Sequence, residues 1–292
     1  MRRPCPPPLS APLRPVHVPP SLACDAHCHV FGPAEAFPLS DGRAYTPEDM
    51  PKERLFALHD AFGFDRRVIV QASCHGTDNA AMLDALAARP GSSRGVASLA
   101  DDVSDAAIAA MHAAGVRGAR FNFMSRIIEA PPLSLIDGWI ERLAPLGWHV
   151  VLHFDPDQIP DLAPWISGLD IPVLIDHAGR LHASDYGGPN FDEFCRLMDM
   201  PHVWTKISGV ERGSEAHAPW DDMIPILRET VRLAPDRTLW GTDWPHPVLS
   251  CPMPDDGKLV DYLWRVVPDD TVRHGILVDN PARLYDFGND DR

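Results

Sequence analysis

The chain has 292 residues, 45% of them hydrophobic, and a formal net charge of −15 from 26 Lys+Arg against 41 Asp+Glu. That is enough apolar material for one large core, and barrels of this length form single domains. The acid excess argues against nucleic acid and anionic membrane as partners. No apolar run reaches the ~18 residues of a membrane span, and six cysteines with no Cys-x-x-Cys point to reduced thiols and a cytoplasmic setting.

In chain order, residues 1–22 carry prolines at 4, 6, 7, 8, 12, 15, 19 and 20 behind Met1-Arg2-Arg3. Without an apolar segment after the arginines this is not a secretory signal. It reads as an extended polyproline-type arm, exposed or laid over the body, ahead of one domain spanning 23–292. The first strand is expected over Cys24–Val30. If its side chains alternate, His27 and His29 share a face with Asp25, while Ala26, Cys28 and Val30 face the other way. Two imidazoles converging from one strand suit a metal ion or a polarised carbonyl, although ordinary strand histidines show the same spacing. Residues 32–51, rich in turn formers, read as a long loop over whatever the strand ends enclose.

Further strands are expected over Arg67–Ala72, Arg94–Leu99, Val116–Phe121, Trp148–Phe154, Pro172–His177, Val203–Ser208 and Thr238–Asp243. Between them, Asn79 can open a helix over Ala80–Ala88, and Ser104 can cap one over Asp105–Ala114. A third, Asp221–Leu233, carries a stripe of Met223, Ile226, Leu227, Thr230 and Val231. Eight strand-helix alternations in a chain of this size predict an α/β fold, a (β/α)8 barrel of parallel strands.

In such a barrel the chemistry sits at the C-terminal strand ends. There the sequence places His27 and His29, then Ser73, then Arg120 and Asn122 on one face with Phe121 and Phe123 on the other. His153, Asp176-His177 and Asp243-Trp244-Pro245-His246 follow at strands five, six and eight. An arginine pointing into a barrel must be paired or wait for an anionic ligand. Arg120, Arg126, Arg180 and Arg212 lie at or just past strand ends, where a guanidinium can fork onto a carboxylate. A surface salt bridge explains Arg180 equally well. Asp243 is the best general base, and His27, His29 and His177 are placed to polarise a carbonyl, directly or through a metal.

This order of His-x-His, His, His and Asp resembles the amidohydrolase superfamily. The stretches DAHCHVFGP, QASCHGTDN, AGVRGARFNF, DHAGR, LWGTDWPHP and VDNPARLY resemble, more narrowly, its 2-pyrone-4,6-dicarboxylate lactonases, over essentially the whole of 25–285. The resemblance implies a hydrolase of a small anionic lactone in aromatic-compound catabolism, with the aspartate at 243 as base. It also implies carboxylate binding by Arg120, Arg126 and Arg212 with Ser73 and Tyr45; Arg180, His153 and His246 join the substrate-binding candidates.

Two departures stand out. Those lactonases carry a tyrosine where this chain has His153, and they work without a metal. The histidine completes a set of His27, His29, His153 and Asp243 of the kind that binds one divalent ion, zinc or manganese. The expected cofactor is therefore none, or one such ion. Val248 replaces a polar residue. The alternatives left open are a metal-dependent decarboxylase acting on an unsaturated acid, a sugar-acid lactonase or lactone isomerase, and a catalytically idle binding barrel.

Overall fold

The computed structural model of the protein describes residues 3, 5–124 and 130–288. Eight strands form a single parallel sheet in sequential order: β1 (Cys24–Cys28), β2 (Arg66–Val70), β3 (Ser93–Ala97), β4 (Val116–Asn122), β5 (His149–His153), β6 (Val173–Ile175), β7 (Val203–Lys206) and β8 (Thr238–Leu239). The seam between β8 and β1 is closed by backbone hydrogen bonds, Ala26 N–H to Trp240 O at 2.9 Å, Asp243 N–H to His27 O at 2.8 Å and His29 N–H to Trp244 O at 2.7 Å. The barrel expected from the alternation is present. Its last strand is shorter than expected because the chain bends out of extended geometry, Asp243 taking φ +62°.

Side chains sort by strand parity into two cores. Cys24, Ala26, Val68, Val70, Val96, Val151, Leu174 and Leu239 fill the inside of the barrel, and Leu284, Tyr285 and Phe287 join the same cluster. Outward-facing residues such as Ile69, Phe121, Val150 and Ile175 pack with apolar residues of the surrounding helices. Those helices are α1 (Lys52–Phe62), α2 (Ala80–Ala88), α3 (Asp105–Ala113), α4 (Leu133–Leu143), α5 (Ile159–Ser167), α6 (Pro189–Met198), the one-turn α7 (Val210–Gly213), α8 (Ile224–Leu233) and α9 (Asp256–Val266). The expected stripe on α8 is buried at Met223, Ile226, Leu227, Thr230 and Val231, with Asp221–Met223 forming a 3-10 turn ahead of it.

Two local expectations meet different fates. Ser104 caps α3, its Oγ accepting from Ala107 N–H at 3.2 Å. Asn79 does not cap α2 with its side chain; its amide donates to the Thr77 and Ser98 carbonyls and its oxygen accepts from Ser98 N–H, tying the helix entry to the end of β3. Ser104→Ala is expected to cost about 1 kcal/mol in urea unfolding, and Ser104→Gly less. Equal losses for both would show that the hydroxyl is not the cap.

Residues 5–22 form no helix or strand and lie along the barrel. Leu13 N–H donates to the Asp255 carboxylate, Val16 and His17 N–H donate to Asp261, and the His17 ring stacks on Trp264 at 4.9 Å. The Leu13 carbonyl lies directly over Gly257 on α9, where any Cβ would collide with it. At the far end Arg3 N–H donates to Ala44 O, in the loop that follows β1. No helix among the described residues is long and apolar enough to cross a membrane. All six cysteines are unpaired.

Candidate active site

A cavity of about 580 Å³ opens at the C-terminal ends of the strands, lined among others by His29, Tyr45, Ser73, Arg120, His153, His177, Arg180, Arg212 and Asp243. Most of the residues expected from the sequence therefore meet in one place. Arg126 lies outside the described residues.

The floor is a chain of charged groups with almost no water access. Asp243 is 2% exposed, and its Oδ1 lies 3.2 Å from His29 Nε2 and 3.5 Å from His27 Nε2. His29 Nδ1 is 2.8 Å from the Val70 carbonyl, which only accepts, so Nδ1 carries a hydrogen. Oδ2 of Asp243 accepts from Arg212 Nη2 at 2.7 Å and Nε at 3.1 Å. Burial alone would raise the Asp243 pKa, but the charge of Arg212 and the neighbouring His177 and His29 outweigh it, and the carboxyl is held well below the usual range. Below it, Asp176 is gripped by Arg120 Nε at 2.8 Å, Lys206 Nζ at 3.1 Å and His27 Nδ1 at 3.3 Å. Lys206 above all, with His27 and Arg120, holds Asp176 ionised against burial.

Several placements differ from expectation. Asp25 does not share a face with His27 and His29: the β1–β2 register slips between Asp25 and Cys28, and Asp25 turns to His59 on α1 and to Thr242. A bulge breaks the strict alternation on which the expectation rested. Arg212, expected on a substrate carboxylate, is engaged with Asp243 and the Pro247 carbonyl. His246 does not line the cavity; it is fully buried behind it, 3.0 Å from Asp256 Oδ1. Burial opposes its protonation, but Asp256 dominates and raises its pKa. Arg180 pairs with Asp155 at 3.1 Å while still lining the wall.

His153 sits on the wall against His177, ring centroids 5.6 Å apart. Burial first, then Arg120 and Arg180, push its pKa well down, so the ring is neutral. Among the described residues neither of its nitrogens has a hydrogen-bond partner. His153→Phe is therefore expected to leave urea stability unchanged or raise it by up to about 1 kcal/mol while lowering kcat/KM. A destabilised variant would mean that the ring is held by contacts in the fold.

Comparison with known proteins fits this geometry. The family model described as amidohydrolase matches residues 24–287. The chain belongs to the amidohydrolase family. This amidohydrolase is 43% identical over 287 residues, 94% of this chain and 93% of the other, to 2-pyrone-4,6-dicarboxylate hydrolase of Comamonas testosteroni. It is 38% identical, over 91% of this chain and 90% of the other, to 4-sulfomuconolactone hydrolase of Rhizobium radiobacter. A Pseudomonas putida protein solved as a candidate 2-pyrone-4,6-dicarboxylic acid hydrolase superposes with a TM-score of 0.80, at 32% identity, covering 91% of this chain and 98% of that one.

The amidohydrolase's ligand atoms can be tested against a metal. Donors at ~2.0–2.1 Å from a tetrahedral zinc lie about 3.3 Å from one another. The 3.2 and 3.5 Å separations of His29 Nε2 and His27 Nε2 from Asp243 Oδ1 match that edge, and the three atoms form one compact group. Nε2 of His27 also has no hydrogen-bond partner among the described residues. These three residues fit a divalent ion with its remaining positions open to the cavity. His153 is not part of that group, so the expected fourth ligand stands apart.

Sequence reasoning missed three contributors. Lys206 lies on β7 with the parity of the inward-facing Trp204, a signal that a lysine inside a run of apolar and β-branched residues could have given. Arg3 lines the mouth only because the arm returns to it, which no local pattern shows. Glu211, 3% exposed, with burial raising its pKa, packs beside Arg212 at 3.4 Å.

Proposed function

We propose that the protein is a hydrolase that opens the ring ester of a small anionic lactone, of the 2-pyrone-4,6-dicarboxylate or 4-sulfomuconolactone kind, with Asp243 as general base. The observation that carries this reading is an ionised, nearly buried carboxylate at the floor of a cavity whose wall bears Arg120 and Arg180. Substrates named for two of the relatives, a dicarboxylate and a sulfonate, are small anions that such a wall would attract.

The residues divide the work as follows. Arg120 uses its Nε on Asp176, and among the described residues nothing engages its two terminal nitrogens, which are left to fork onto a substrate carboxylate. Tyr45 hydroxyl and Ser73 Oγ, 3.4 Å apart and lining the same cavity, supply neutral donors to a second anionic group. Neutral His153 offers one donor and one acceptor beside Arg120. Asp243 Oδ1 takes the proton of a water as its oxygen attacks the ring carbonyl, and His177 is the ring that would meet the negative charge gathering on the carbonyl oxygen. The C–O ring bond then breaks, and the enolate-type oxygen leaves with little need of an acid. A divalent ion held by His27, His29 and Asp243 would add Lewis-acid polarisation of the carbonyl or water.

Turnover of the purified protein on a panel of lactones tests the reading. Dianionic lactones should open to ring-opened acids, neutral lactones of the same ring size should react at least tenfold more slowly, and no carbon dioxide should appear. Release of carbon dioxide from an unsaturated acid, with every lactone left intact, would replace the hydrolase by a decarboxylase.

A further inference from the structure

We infer that Arg3, carried to the mouth of the cavity by the proline-rich strap, is a specificity residue. Its guanidinium takes the second anionic group of a dianionic ligand, the group to which Tyr45 and Ser73 donate. The inference rests on the reading of the cavity as a site for small anions, and not on which reaction follows binding.

Among the described residues, four arginines line the cavity. Three already face carboxylates: Arg212 meets Asp243 at 2.7 Å, Arg180 meets Asp155 at 3.1 Å, and Arg120 spends its Nε on Asp176 at 2.8 Å. Arg3 is the fourth, and among the described residues nothing engages its guanidinium. Its place is nevertheless set by the backbone. Arg3 N–H donates to Ala44 O at 2.8 Å, and the residue forms a parallel bridge with Tyr45. Tyr45 is buried, with its hydroxyl 3.4 Å from Ser73 Oγ in the cavity lining. Two positions after Arg3, the Cys5 side chain meets the backbone of Val248, which lines the cavity too. The strap end is thus held between two loops of the mouth, next to a pair of neutral donors. Those hydroxyls can orient a carboxylate or sulfonate but carry no charge to balance it, whereas a guanidinium supplies both the charge and a planar fork. The wider charge balance points the same way. Among the described lining residues aspartates and arginines are equal in number, four of each, so without Arg3 the cavity of this acidic chain would be net negative and would repel an anion.

Calorimetric titration of the full chain with two unreactive probes tests this: isophthalate, a planar ring with two carboxylates, and benzoate, which has one. The wild type should bind isophthalate more tightly than benzoate. Because Arg3 is exposed, its contact is worth something between a surface ion pair and a buried charge-assisted bond. Arg3→Gln should therefore weaken isophthalate by about five- to tenfold and change benzoate by less than about twofold, while Arg3→Lys should restore part of the loss. Arg14→Gln removes the same charge from the same strap at an exposed position outside the cavity lining, and should change neither affinity. On a dianionic lactone that the enzyme opens, Arg3→Gln should raise KM by the same factor and leave kcat in place. An unchanged isophthalate-to-benzoate ratio in Arg3→Gln would overturn the inference, and so would an equal loss in Arg14→Gln, which would be an effect of net charge. A wild type with no preference for isophthalate would overturn it as well. The probes are not turned over, so the two readings fail separately: an Arg3-dependent preference in a protein that opens no lactone would sink the hydrolase alone, and lactone opening with an unchanged ratio would sink the role of Arg3 alone.

Discussion

Asp243→Asn is expected to lower kcat on an accepted lactone by about 10²–10⁴, the span that a positioned general base contributes. Asparagine keeps the shape but cannot take a proton from water. It also loses the charge that Arg212 meets at 2.7 Å, freeing that guanidinium in a buried wall. Substrate affinity should then hold or tighten, because the released Arg212 can turn to an anionic ligand. Retention of binding with loss of turnover, measured by calorimetry and single-turnover kinetics, is the signature of a base. If Asp243 merely fixed the turn before Trp244, asparagine would hold the left-handed φ of +62° equally well and activity would survive.

Arg120→Met should lower kcat/KM on a dianionic lactone by about 10- to 100-fold, the loss of a charge-assisted contact of ~1.5–3 kcal/mol. The decisive comparison is with a monoanionic analogue of the same ring. If Arg120 binds a carboxylate through its terminal nitrogens, removing it should narrow the preference for the dianion. If its role is only to neutralise Asp176, both substrates should slow equally. The fold should persist in either case, since Asp176 keeps Lys206 at 3.1 Å.

The barrel was legible because each strand and helix announces itself locally, by short apolar runs ending in polar residues and by stripes such as that of α8. The site was legible as a set of residues for the same reason: strand ends converge whatever the rest of the chain does. What stayed hidden was pairing. Nothing local to Arg212 says that it would reach across 31 positions to Asp243 rather than to a ligand. His246 looked like a cavity residue from its place beside Asp243, but the tight turn that puts it at φ +60° carries its ring to Asp256. The bulge in β1 likewise leaves no mark in the alternation of CDAHC. These are tertiary choices made among several nearby partners of opposite charge, and periodicity does not rank them.

The strap formed by residues 5–22 joins the two ends of the chain in time as well as in space. It precedes the barrel in the sequence, yet its anchors Asp255 and Asp261 lie 242 to 245 positions later, among the last parts of the barrel to be made. Closing so large a loop waits on the helix that receives it. During synthesis the contacts of residues 13–17 with Asp255 and Asp261 therefore wait for α9, whereas Arg3 N–H on Ala44 O and Leu22 N–H on Asp65 need only the first part of the barrel. Anchoring of the middle of the strap thus becomes a late event in folding, reached only by chains that have already built the far side of the barrel.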